Sequence, residues 1–273
     1  MSDNKRHNYE YEVDLDGSSA PARVIRMVGA QKNVLEIGAG PGSITKHLVN
    51  IKKCSVTALE IDKDAIEKLS EYTDDIYPAD LNNPDWPVQF SDKGLFDVVV
   101  AGDVLEHLYN PWGTLEKMRD LLTESGHIVV SLPHVGHSAI CACLMNENFD
   151  YRDWGLLDKT HIRFFGLKNM QKMFDNAKLS ISHAEFVVTR PEDTEFSEIW
   201  SNQPKDVKAA LSQNQFGAVY QVVIKAIKKS SNSTSINLLS LPVEMPKANL
   251  GVKKIASQYL PQHLKSRIKR FLK

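Results

Sequence analysis

Five short apolar runs between residues 33 and 133 alternate with stretches of helical period. That alternation limits the fold more than any other feature of the chain. The runs are NVLEI (33–37), SVTALEI (55–61), DIYPAD (75–80), FDVVVAG (96–102) and HIVVSLP (127–133). Residues 43–52 place Ile44, His47, Leu48 and Ile51 on one helical face, and 64–72 do the same with Ala65, Ile66 and Leu69. A Ser18-Ser19-Ala20-Pro21 start predicts a further helix running to about Gly29, and 111–122 reads as another, followed by a polar turn ending at Gly126. The unbroken apolar run of 96–102 suits a strand covered on both faces. Two later runs, 179–189 and 218–228, bring the expected strands to seven, with helices at 168–177 and near 205–211. The expectation is an α/β protein with a doubly wound, mostly parallel, seven-stranded sheet and a helical C-terminal extension.

A length of 273 residues suits one large α/β domain with an appendage. Residues 1–229 read as that domain, with a long insert at 134–167, a Ser/Asn/Pro-rich linker at 230–250 and a basic amphipathic tail at 251–273. No apolar run approaches the roughly 18 residues of a membrane span. The polar start lacks the apolar stretch of a secretory leader. Three cysteines (Cys54, Cys141, Cys143) make a poor disulfide framework, so a cytoplasmic setting is expected. Cys141 and Cys143 alone are too sparse for zinc, and no metal is expected.

The strand at 33–37 runs into glycines at 38, 40 and 42. Glycine accepts positive φ and lets backbone approach a ligand closely. A tight turn with no ligand would use the same residues. A dinucleotide fingerprint, however, has its third glycine three residues after the second, and here it comes one residue early. Pro41 also removes an N–H that a phosphate would use. Glu36, just ahead, would repel a pyrophosphate but could hold a cation or an ammonium. A nucleoside carrying positive charge is favoured.

With these residues in view, Glu36-Ile37-Gly38-Ala39-Gly40-Pro41-Gly42 resembles the acid-x-G-x-G-x-G motif of the class I S-adenosylmethionine-dependent methyltransferases. The resemblance covers about 20–190 and implies their Rossmann-like fold. It implies S-adenosyl-L-methionine as cofactor and S-adenosyl-L-homocysteine as product. It implies that Glu60, with Ile61 beside it, accepts the ribose hydroxyls; the alternative is a surface acid at a strand end. Asp80 and Leu81 stand where the family holds the adenine. Residues 96–108, including Gly102 and Asp103, resemble the fourth-strand motif followed by an L-E-H helix. Ala39 completes the cradle. Asp62 is more simply an N-cap for the next helix.

Methyl transfer to a hydroxyl needs alignment, exclusion of water and somewhere for the proton to go. His161, His134 and His107 are the candidate bases, and His107 reads equally well as a core histidine bonded to a carbonyl. Glu106 reads as a helix-start or packing acid. His161 and Arg163 alternate and would face one pocket if that segment is extended; the structural alternative buries Phe164 and Phe165. The stretch T-H-I-R-F-F-G (160–166) resembles the T-H-x-R-F-F-[ST] motif of a bacterial subgroup associated with polysaccharide biosynthesis, departing from it at Gly166. It is similar, more distantly, to quinone-biosynthesis O-methyltransferases. The resemblance implies O-methylation of a sugar, glycan or glycolipid intermediate. N-methylation of an aminosugar, a quinone or other small-molecule acceptor, and a non-catalytic scaffold that binds the cofactor stay open. Phe149, Tyr151 and Trp154 in the insert could stack on a sugar ring or pin the loop. Tyr9 and Tyr11 could close over the cofactor.

Residues 225–273 hold 11 Lys/Arg and one acid, whereas the preceding 224 residues hold 22 Lys/Arg and 33 acids. An acidic body with no aromatic–basic platform argues against nucleic acid. The tail reads as two helices, one with Val252, Ile255, Ala256, Tyr259 and Leu260 on a stripe and one from Pro261 with Leu264, Ile268, Phe271 and Leu272. These apolar faces could pack on the domain, on a second copy in a homodimer, or on an anionic membrane at its inner face.

Overall fold

The structure is a computed structural model and describes residues 10–245. Seven strands form one sheet: β1 Asn33–Ile37, β2 Ser55–Glu60, β3 Ile76–Pro78, β4 Phe96–Gly102, β5 Leu122–Pro133, β6 Leu179–Val188 and β7 Val219–Lys228. The order is β3-β2-β1-β4-β5-β7-β6, parallel from β3 through β5, with β7 antiparallel to both neighbours. The doubly wound α/β expectation holds. The chain starts at β1, winds outward to β3, then returns to β4 on the other side. Strand order therefore reverses between β1 and β4, where the carboxyl ends open a crevice.

Period-2 alternation in the central strands feeds two apolar layers. Val98 and Val100 of β4 face α1 (Ala20–Val28) and α2 (Thr45–Asn50), joining Val24, Ile25 and Leu48 in a fully buried layer. Val99 and Ala101 face the other way, onto Leu115 and Met118 of α4 (Pro111–Asp120) and Met170, Met173 and Phe174 of α6 (Leu167–Asn176). Both faces of β4 are covered, as its unbroken apolar run requires. Ser19 caps α1 by accepting from the Ala22 N–H, and Asp62 caps α3 (Lys63–Leu69) by accepting from the N–H groups of Asp64 and Ala65 at 2.9 and 3.0 Å.

Four local expectations change. The polar turn ending at Gly126 is instead the start of β5: Leu122 pairs with Phe96, and a register shift between Phe96 and Val98 absorbs the polar residues. The L-E-H segment is a single 3-10 turn, Leu105–His107, because the chain bends sharply at Asp103, whose φ is +55°. The 134–167 insert carries a helix, α5 (Ser138–Met145), capped by the His137 ring, which accepts from the Ala139 N–H at 3.2 Å. Its uniformly apolar sequence has no amphipathic period to read. Residues 230–245 lie against the sheet: Leu238 is fully buried, and the Ile236 N–H donates to the Ile181 carbonyl at 2.8 Å. No helix among the described residues is long and apolar enough to cross a membrane. The 251–273 tail and Tyr9 lie outside the described residues.

Candidate active site

The glycine loop joins β1 to α2 at the reversal point. Gly38, Gly40 and Gly42 all have positive φ, at 64°, 56° and 86°. A Cβ on Gly38 would stand 2.7 Å from Val104 Cγ2, so the loop and the segment after β4 approach more closely than any other residue permits. A Cβ on Gly40 would meet nothing within 4 Å, so the loop's middle faces open space. Ala39 is buried and its N–H donates to the Leu59 carbonyl at 2.9 Å, fastening the loop to β2.

Three acids surround this loop. Glu36, in β1, is 2 % exposed and accepts from the Thr45 hydroxyl at 2.7 Å. Burial raises its pKa from 4.5 to about 7, against the Thr45 bond, which lowers it. Glu60, at the end of β2, accepts from the Gly40 N–H at 2.7 Å and from the Ile61 and Asp62 N–H groups at 2.8 Å. Asp103 follows β4 in a left-handed conformation unusual outside glycine. Its carboxyl accepts from the Ser131 hydroxyl at 2.5 Å and the Gln221 amide at 3.0 Å, and burial raises its pKa. Asp80 is exposed after β3 and accepts from the Asn82 N–H at 2.8 Å, while Leu81 packs on the main core and Ile61 is 62 % exposed. A Cβ on Gly102 would meet Ile44 at 2.9 Å. The carboxyl ends of β3, β2, β1 and β4 thus carry all the residues read from sequence as cofactor contacts. The loop with open space over Gly40, an acid beneath and a carboxylate beside it fits a nucleoside with a cationic amino-acid end. The Tyr11 N–H donates to Ser43 Oγ at 3.1 Å, so the N-terminal arm reaches the loop.

A second group lies one turn beyond Asp103. Glu106 is fully buried, and neither carboxylate oxygen has a hydrogen-bond partner. Burial holds its pKa well above the usual range, with Asp103 adding to the effect. His161 Nε2 stands 3.9 Å from Glu106 Oε1, and the His107 and His161 rings meet edge to face at 4.8 Å. Each ring is aimed by a carbonyl: the Nδ1–H of His107 donates to Thr160 at 3.1 Å, and that of His161 to Leu156 at 3.3 Å. Burial and then His107 hold the His161 pKa down at about 4. The N–H groups of Ile162 and Arg163 both donate to the Glu106 carbonyl at 3.0 Å, which docks the 160–166 segment on the turn after β4.

The other residues read from sequence take different places. His134 is buried, and its Nδ1–H donates to the Val219 carbonyl at 3.1 Å; it borders a cavity of about 220 Å³ with Leu167, Asn169 and Phe216. Burial lowers its pKa. Arg163 donates to the Tyr109 carbonyl at 2.8 Å and lies over the Trp112 ring at 5.8 Å, whereas His161 turns to Glu106. Tyr151 is exposed and contacts Phe149, which also meets Phe164, in a chain of edge-to-face rings at 5.7 and 5.9 Å. Trp154 is half-buried beside it in sequence. Phe165 is buried but Phe164 is 37 % exposed, so the segment does not bury both rings. From sequence alone Glu106 reads as a helix-start or packing acid, and Ser131 and Gln221 carry no motif. The last two stand as lone polar residues in apolar strands, which is a usable signal: a polar group there needs a partner.

The sequence matches a family described as "Methyltransferase domain" over residues 10–184. A ubiquinone biosynthesis O-methyltransferase of Shewanella pealeana is 20% identical over 162 residues, covering 59% of this chain and 68% of that protein. Among solved structures, one from Bacillus halodurans described as a putative methyltransferase superposes with a TM-score of 0.55 at 15% identity, covering 78% of this chain and 100% of that one. Magnesium protoporphyrin IX methyltransferase of Synechocystis, solved with bound S-adenosylhomocysteine, has a TM-score of 0.52 at 12% identity, with 78% and 83% covered.

Proposed function

We propose that this chain, which belongs to the methyltransferase domain family, moves the methyl group of S-adenosylmethionine onto a hydroxyl of a sugar, glycan or glycolipid intermediate. The cofactor supplies a methyl on a sulfonium: as the acceptor oxygen forms its bond to carbon, the S–CH3 electron pair returns to sulfur, and a neutral thioether remains. The chain's residues do the rest. Glu36 and the Gly38–Gly42 loop would hold the amino-acid end, Glu60 the ribose, and Asp80 with Leu81 the adenine. The N-terminal arm at Tyr11 and the buried layers under the loop exclude water.

The observation that carries the reading is the adjacency of two unlike groups at the carboxyl ends of β1 and β4: the glycine cradle, where a Cβ on Gly38 would meet Val104, and the Glu106–His107–His161 cluster that follows two residues later. The first suits the donor, and the second can hold or pass the acceptor's proton. His161 faces a carboxylate and His134 does not, so His161 is the better candidate of the two. The ring chain of Tyr151, Phe149 and Phe164 supports a sugar face as acceptor, because carbohydrate rings stack on exposed aromatics. A quinone or other small-molecule acceptor is a second reading, favoured by the Shewanella pealeana relative. N-methylation of an aminosugar needs less help with a proton.

Calorimetry with S-adenosylmethionine tests the donor site: wild type binds, and Glu60→Ala weakens binding at least tenfold. Unchanged affinity would remove Glu60 from the ribose. Incubation with labelled cofactor and fractionated glycan, lipid and quinone pools tests the acceptor. Label entering only the quinone fraction would overturn the glycan reading.

A further inference from the structure

The Glu106–His107–His161 cluster has the composition of a metal centre. Its three side chains offer ligand atoms that all lie within 4.8 Å of one another. Two imidazoles and one carboxylate form a donor set that first-row divalent cations favour, and that leaves positions open for an outside ligand. Both rings already have the supporting bond that ligating histidines need: each Nδ1–H is fixed by a backbone carbonyl, which turns Nε2 into the lone-pair atom. Glu106 is the independent observation. A fully buried carboxyl with neither oxygen hydrogen-bonded is costly unless it carries a proton or meets a cation, and the two imidazoles beside it supply the further ligands that a cation needs.

Packing alone does not account for the arrangement. Glu106 could be Gln or Leu if it only filled space, and the 3.9 Å gap to His161 is too long for a hydrogen bond. Cis ligand atoms on a first-row ion with bonds of about 2.0–2.1 Å stand about 3 Å apart, so side-chain rotations that draw the three inward by roughly an ångström bring them to bonding distance, and expansion to five or six ligands leaves at least two positions open. His107 is the half-buried member and opens the cluster to solvent on its side.

We propose that Glu106, His107 and His161 bind one divalent transition-metal ion whose open positions face the methyl acceptor. The assignment of an acceptor rests on the methyl-transfer reading; the binding of the ion does not. A cation here lowers the pKa of a coordinated hydroxyl, and the released proton passes to water on the His107 side. Ligation replaces proton uptake by His161. It would also add a chemical preference: an acceptor with two adjacent oxygens, as in a vicinal diol, fills two open positions at once.

The test strips the full-length protein with a chelator, dialyses the chelator away, and titrates it with Zn2+ and with Co2+ alone. The expected result is one equivalent bound, with visible absorption from Co2+ in a nitrogen–oxygen site. Glu106→Gln and His161→Ala should each weaken binding by more than the roughly 10–100-fold that loss of a supporting residue costs. S-adenosylmethionine calorimetry on the stripped wild type and both variants serves as the fold control and should be unchanged. Stoichiometric binding that survives in both folded variants would overturn the proposal, and so would a wild type that takes up neither ion. Ion binding without cofactor binding would instead overturn the methyl-transfer reading and leave the metal site standing.

Discussion

Glu36→Gln isolates the acid beneath the glycine loop, where we propose that the donor binds, and can be read without knowing the acceptor. Glu36 is 2 % exposed, and burial moves its pKa from 4.5 to about 7. The folded value is raised, so the native state holds a proton that the unfolded chain releases between those two pH values. The stabilisation is complete below about pH 4.5 and is lost as pH rises through about 7. A rise of this size, at about 1.4 kcal/mol per pH unit, amounts to roughly 3 kcal/mol, of which about 2.5 kcal/mol separates pH 5 from pH 8.5. Gln keeps the shape and does not titrate. Denaturant unfolding of wild type and variant at the two pH values should therefore show the variant gaining about 2.5 kcal/mol relative to wild type at the higher pH. Parallel curves with no pH-dependent difference would mean that Glu36 is solvated or partnered in a way the structure does not have. The same variant tests the ligand. An ammonium prefers the ionised carboxylate, so wild-type affinity for S-adenosylmethionine should rise between about pH 5.5 and 7.5, and the affinity of the Glu36→Gln variant should stay nearly flat by calorimetry.

Other outcomes follow from single features. Gly38→Ala places a Cβ 2.7 Å from Val104 at positive φ, and should cost about 1–3 kcal/mol in a urea titration as well as cofactor affinity. His137, fully buried with its ring between the Thr189 carbonyl and the Ala139 N–H, has its pKa pushed down to about 4 by burial; its contribution is present above pH 6.5 and lost as pH falls through about 4, so His137→Gln should flatten the acid limb of stability seen by circular dichroism. Glu195→Ala strands the Leu156 N–H and the Tyr220 hydroxyl that it accepts from at 2.8 and 3.0 Å, and should destabilise by about 1–3 kcal/mol and make residues 150–160 exchange amide hydrogens faster. Deleting 251–273 should abolish sedimentation with anionic liposomes if that basic stripe serves a membrane; unchanged partitioning ends the membrane reading.

Local chemistry explains which parts of the chain could be read in advance. Asp62 and Ser19 announce helix starts through their own side chains, and both do cap helices. The 33–37 strand, its glycines and Glu60 could be read because each requirement is met within a few residues. α5 could not, since SAICACLM is apolar on every side and its period is hidden. Nor could the start of β5, where a bulge against Phe96 admits polar residues into a strand. Arg163 and His161 share a segment, but different neighbours, Trp112 for one and Glu106 for the other, direct them apart.

The sequence by itself determined the fold class and the glycine turn with its flanking acids, because strand–helix alternation and that turn are short-range patterns. Tertiary structure alone decided the second group. Glu106 and His161 are 55 residues apart, and an acid in a leucine-rich turn looks like any packing acid until the 160–166 segment docks on its carbonyl. Burial then removes its water, and a histidine pair takes position beside it. Whether a carboxylate is solvated or stranded depends on what covers it, and only the folded chain specifies that cover.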